Sequence, residues 1–362
     1  MEKYKRFTDP ATGINPFVPT KAVGAAPVAR KLLGLIAAPA VLLTLGVAAI
    51  VYVMLGAVPF AVLGAAAAPL HMVAVRLAGY LALASAAWAK LTVMPYPLKA
   101  GALSGADATS DVHPTAGDVI FANLQSPLDP LVLQVAFPWR PLTFAFPRGT
   151  TEPSTTVDAD AVYVETSLLG AMARTLTLTS AAGSFEGPPT TSKPLRSLDL
   201  APLQGKAKKA GRPLAVFPEG ATTNGRGLLR MPACICDPNQ QLMLAAVAYS
   251  NEAAHPAPIV PAGTGLAWWL FGHCVAWSTL TPSTADVAVV RRTHRPPVPS
   301  SFAADWATSL QAKLGQAVTF NRPTDKPCRP LGSSAFDKER FLCQWGQYND
   351  AAATAAGEKK SA

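Results

Sequence analysis

Between Leu32 and Val75 the chain has no aspartate, glutamate, lysine or arginine. An uncharged run of that length excludes an ordinary soluble surface helix, because one bilayer-crossing helix needs only roughly 20 apolar residues. Charge is sparse overall: 15% of the 362 residues are charged and 50% are hydrophobic, which is apolar for a soluble globule. Cysteine is scarce as well. Cys234, Cys236, Cys274, Cys328 and Cys343 are few, odd in number and late in the chain. That excludes a disulfide framework and reads as free thiols in a reducing compartment. Cys234 and Cys236 lack the two-residue spacing that zinc favours, so no metal is expected. Zinc-finger spacing, an aromatic–basic RNA motif, a Walker A loop, a Rossmann glycine fingerprint and a nucleophile elbow are also missing. No nucleic-acid partner is expected, and no bound cofactor.

What is present begins with a basic excess, 31 lysines and arginines against 22 acidic residues, a formal charge of +9. Beside an apolar anchor this suits anionic lipid and phosphate-bearing ligands. Leu32–Leu55 is the clearest span, closed by Gly56 and Pro59. Phe60–Val75 is shorter, interrupted by His71 and followed by Arg76, so it either spans or folds back as a re-entrant or surface helix. Tyr80, Trp88 and Lys90 read as interface residues. Lys3, Lys5, Arg6, Lys21, Arg30 and Lys31 precede the run and favour a cytosolic N-terminus; a hairpin would return the remaining chain to the cytosol. The expected organisation is a cytosolic segment (1–30), a membrane anchor of one span plus a second span or re-entrant helix (31–95), an α/β domain (96–330) and a C-terminal tail (331–362).

Short apolar runs bounded by Gly, Pro, Asp and Ser read as strands at Asp118–Asn123, Leu142–Phe146, Ala161–Val164, Pro213–Phe217, Pro258–Pro261 and Asp286–Val290. Helices are expected at Leu131–Ala136, Leu168–Leu178, Gln240–Tyr249 and Phe302–Val318. Strands alternating with helices imply an α/β domain with a mixed, largely parallel sheet.

Two segments leave expected strands, where α/β folds bind ligands. One is Asn123-Leu124-Gln125-Ser126-Pro127-Leu128-Asp129-Pro130. The other is Val216-Phe217-Pro218-Glu219-Gly220-Ala221-Thr222-Thr223-Asn224-Gly225-Arg226. They resemble the first (Asn-His-x-x-x-x-Asp) and third (Phe-Pro-Glu-Gly-Thr) motifs of the acyl-CoA glycerolipid acyltransferases, the lysophosphatidic acid acyltransferase superfamily. Ile259-Val260-Pro261 sits about where that superfamily's fourth motif belongs. The opening residues Met1-Glu2-Lys3-Tyr4, Asp9, Thr12-Gly13-Ile14 and Pro16-Phe17-Val18-Pro19 are similar to a fungal branch that acylates lysophosphatidic acid from oleoyl-CoA.

The resemblance implies a glycerol-phosphate acyltransferase-like domain, acyl-CoA as co-substrate, and lysophosphatidic acid or another lysophospholipid as acceptor. It also implies membrane lipids as partners and residence at the endoplasmic reticulum and lipid droplets. It makes Asp129 catalytic and assigns Glu219 and Gly220 to the acceptor's phosphate site, with Thr222 standing where the superfamily has arginine. Asn224, Arg226 and Arg230 complete that expected site, the arginines as alternative phosphate contacts. Leu124, however, occupies the position of the catalytic histidine and accepts no proton. Three alternatives follow: Asp129 takes the proton itself or through water, His113 reaches the site, or the domain binds lipid without catalysing transfer. Plainer roles stand beside these: Asp129-Pro130 as helix cap and first turn, His113 as a solvated loop residue, and Gly220 with Asn224-Gly225 as turn residues.

Overall fold

The computed structural model describes residues 5, 7–18, 28–85, 88–96, 113–147, 163–177, 198–231, 234–249, 283–290, 304–321, 328–333, 337–338 and 340–342. The expected strand Pro258–Pro261 and His255, His273 and His294 lie outside these residues.

The apolar run is helical almost throughout. Helix α1 (Val28–Val51) passes through a π-helical turn (Tyr52–Ala57) into α2 (Val58–Leu63), and a 3-10 turn (Gly64–Ala67) leads into α3 (Ala68–Ser85). Gly64, at φ 58°, provides the left-handed break that a side chain would resist. The chain reverses, and α3 packs back on α1. One helical stretch, Leu43–Ala82, is long and apolar enough to cross a membrane. Its outer face leaves Leu43, Ile50, Met54, Val62, Leu63 and Val73 exposed. Exposed apolar side chains of this number are what a lipid-facing or partner-facing helix carries.

The α/β domain is built on a seven-stranded sheet. Its strands are β1 (Trp88–Tyr96), β2 (Val119–Ala122), β3 (Thr143–Pro147), β4 (Tyr163–Thr166), β6 (Leu214–Val216), β9 (Leu242–Tyr249) and β10 (Ser283–Val290). Short strands β5 (Leu198–Asp199) and β8 (Cys234–Ile235) pair with each other, as do β7 (Gly227–Leu228) and β11 (Arg329–Pro330). The spatial order of the main sheet is β1-β10-β9-β2-β6-β3-β4. The β10/β9 and β3/β4 pairs are antiparallel and the others parallel, giving the mixed, largely parallel sheet expected.

Residues alternate between two cores, as strand geometry requires. Ile120, Ala122, Phe144 and Ala215 face helices α4 (Asp129–Ala136) and α5 (Leu168–Thr177), with Leu45 and Tyr52 of the apolar segment packed against the same core. Val119, Phe121, Ala145 and Val216 face α6 (Ala201–Lys209) and α7 (Ala304–Asn321), where Leu310 and Leu314 are buried.

One expectation is corrected. Gln240–Tyr249 is not a helix; its core is strand β9. Leu-Met-Leu-Ala-Ala-Val-Ala-Tyr contains good helix formers, but all eight residues are buried and both faces are covered. An apolar run with no polar side suits a central strand, and pairing with β2 and β10 overrides propensity. Trp88 and Lys90 lie in edge strand β1. Their partner strand, Ser283–Val290, is too distant in sequence for local patterning to reveal.

Candidate functional site

The two motif segments leave neighbouring parallel strands, β2 and β6, at the same sheet edge, and β9 ends beside them. Asn123 fastens that edge. Its side-chain amide donates to the Val247 carbonyl at 2.9 Å and accepts the Val247 N–H at 2.7 Å, continuing the ladder past the last paired residue of β2.

Asp129 and Glu219 converge here. Asp129 opens α4, with Leu128 rather than Asp129 as the capping residue. Its carboxylate turns back on the preceding loop, where Oδ2 accepts the N–H groups of Gln125 (2.5 Å) and Ser126 (2.9 Å). Oδ1 accepts the Tyr249 hydroxyl. Glu219 ties two loops: Oε1 accepts the Leu124 N–H and Oε2 the Leu229 N–H, each at 2.9 Å. The adjacent N–H groups of Leu124 and Gln125 thus go one to each carboxylate. Both acids are buried, as is the Leu124 side chain, which joins the apolar core.

Burial dominates their titration. It pushes Asp129 up to about 7 against the lowering effect of its three donors. Glu219 rises to about 8, through burial opposed by its two backbone donors, with Asp129 repulsion adding to the rise. Lys338 is the nearby cation. Its Nζ donates to the Thr222 carbonyl at 2.5 Å and to the Thr222 hydroxyl, and burial brings it down to about 7 against the attraction of Glu219.

The remaining expected residues are spread around this centre. Gly220, at φ 67°, makes the turn out of β6. Asn224 is held by the chain's own N-terminal segment: its side-chain amide donates to the carbonyls of Asn15 (2.9 Å) and Val18 (3.0 Å), and its N–H to Pro16 (2.8 Å). Arg226 and Arg230 flank β7 and are half-buried. His113 is not brought in. It is exposed, its ring edge-on to Trp139 at 5.1 Å, and partial burial with the Arg76 charge keeps it below the usual histidine range. No histidine among the described residues bonds to Asp129.

Beside α4 is an apolar cavity of about 130 Å³. Leu45, Ala48, Tyr52, Val75, Ala78 and Gly79 form its wall on the apolar segment; Leu128, Leu131, Gln134, Leu168 and Met172 form the opposite wall. Leu128, the residue before Asp129, belongs to its lining.

Tyr249 and Lys338 escaped the sequence reading. Reading β9 as a strand would have placed Tyr249 at the motif edge; nothing in the sequence links Lys338 to Thr222. Among the described residues no group of three histidine, cysteine or acidic side chains is arranged to hold a metal. No family model, curated protein or solved structure matches the chain.

Proposed function

We propose that the protein is a membrane-anchored acyl-CoA:lysophospholipid acyltransferase, with lysophosphatidic acid as the acceptor the sequence resemblance favours. The reading places the apolar hairpin in the endoplasmic reticulum or lipid-droplet membrane and the acyltransferase-like domain in the cytosol. One observation carries it: Asp129 and Glu219, 90 residues apart in sequence, meet through the backbone of Leu124 and Gln125 at one sheet edge. The reaction requires a group that removes a proton from a glycerol hydroxyl as it attacks the thioester carbon. With leucine at position 124 and His113 elsewhere, that group is Asp129. A carboxyl raised to about 7 is suited to gain and lose a proton at neutral pH. The apolar cavity supports the same reading, since its lining of leucine, alanine, valine and methionine side chains suits an acyl chain.

Purified protein in micelles, given oleoyl-CoA and lysophosphatidic acid, is expected to release free CoA. Asp129→Asn, which keeps the side-chain shape, is expected to lower kcat roughly 10²–10⁴-fold. Absence of release above an empty-membrane control defeats the reading.

A second reading is favoured by Leu124 and by the saturation of both carboxylates with the chain's own donors. Here the domain binds lipid or organises droplets without turnover. It requires Asp129→Asn to leave cellular function intact in a stably folded protein.

A further inference from the structure

Leu124 deprives Asp129 of an imidazole partner, yet Oδ1 of that carboxylate is occupied. The Tyr249 hydroxyl donates to it from the end of β9, and the Ser126 hydroxyl bonds the phenol oxygen in turn. The phenol therefore bridges two motif residues. The strand carrying it is fixed by the Asn123–Val247 pair just before it. Beside this chain lies an unsatisfied acceptor: Gln125 commits Nε2 to the Val247 carbonyl at 3.2 Å, and its buried Oε1 has no partner among the described residues. A hydroxyl-bearing ligand entering next to Asp129 would supply the donor that Oε1 lacks.

We infer that Tyr249 stands in for the missing histidine, relaying the proton of the acceptor hydroxyl to Asp129. The inference rests on the acyltransferase reading. The glycerol oxygen forms the new ester bond to the thioester carbon as its proton passes to the Tyr249 oxygen, and the phenol passes its own proton to Oδ1. Collapse of the tetrahedral adduct breaks the carbon–sulfur bond, and the electron pair leaves on sulfur. The proton on Asp129 returns through Tyr249 to the thiolate, so free CoA departs and both side chains end as they began.

The test uses the full-length protein in micelles with oleoyl-CoA and lysophosphatidic acid, following CoA release. Tyr249→Phe is expected to reduce kcat by roughly 10²–10⁴-fold with the KM for acyl-CoA unchanged, in a protein that still melts cooperatively at a lowered temperature because Asp129 loses a buried donor. Adding Leu124→His to that variant is expected to recover activity by restoring a base against Asp129. On the wild type, which needs no substitution, rates in mixed light and heavy water are expected to curve with deuterium fraction, since two protons move together. A Tyr249→Phe rate equal to the wild type's, or a straight-line isotope dependence, overturns the relay while leaving the acyltransferase reading standing. A wild type that releases no CoA overturns both.

Discussion

Three buried ionisable side chains, Asp129, Glu219 and Lys338, sit within one small region, and burial opposes the charged form of each. The two acids are raised above their unfolded values, so folding takes up protons, and their stabilising contribution is complete at low pH and lost as pH rises toward 7 and 8. Lys338 is lowered to about 7, so its contribution is complete at high pH and lost as pH falls toward 7. The two trends meet, and thermal melting in detergent is expected to show a trough near neutral pH, with higher melting temperatures at pH 5. Glu219→Gln is expected to flatten the acid side of that trough. It is also expected to cost about 1–3 kcal/mol, because an amide has one acceptor oxygen for the two N–H groups that Glu219 satisfies. A variant with an unchanged acid slope would show that Glu219 does not titrate in that range.

Among the elements, α3 and α4 come closest where Gly79 faces Val135. A Cβ placed on Gly79 would lie 2.1 Å from a Val135 methyl, so the apolar segment meets the α/β domain through a missing side chain. Gly79→Val is expected to destabilise the fold by about 1–3 kcal/mol, read as a lower melting temperature. On the acyltransferase reading proposed above, it is also expected to slow acyl transfer, since Gly79 borders the apolar cavity. The same elements show what local patterning conveys. Strands β2, β3 and β6 and helices α5 and α7 were legible because short apolar runs ended at Gly, Pro or Asp, or apolar residues recurred with helical period. Strand β9 was not, because alanine and leucine favour a helix locally and only pairing between β2 and β10 decides otherwise. The convergence of Asp129 and Glu219 was legible from two motifs at strand exits. The Tyr249 donor to Asp129 and the Lys338 charge near Glu219 were not, since both arrive from separate parts of the chain.

At the scale of the molecule, residues from the two end regions clasp the loop that follows β6. Phe7 meets Phe341 edge-on and Phe17 lies tilted against it, with ring centroids 5.3 and 5.5 Å apart, and together with Ala221, Leu229 and Leu342 they make a third apolar cluster. Asp9 accepts the Gly332 N–H at 3.1 Å. Phe17→Ala is expected to cost roughly 3–5 kcal/mol and to free the loop around Asn224 for proteolysis; an unchanged digestion pattern would show that the clasp does not hold it. This contact also constrains the path of the chain. Residues 7–18 precede the apolar segment, while the loop they grip follows it. A bilayer cannot separate two surfaces that touch, so the intervening stretch makes an even number of crossings, or none. Cysteines introduced at the exposed positions Ala11 and Ala210 are therefore expected to react with a membrane-impermeant maleimide from the same face of a sealed vesicle. Parity, rather than hydropathy, then requires residues 7–18 and the loop they grip to share one compartment.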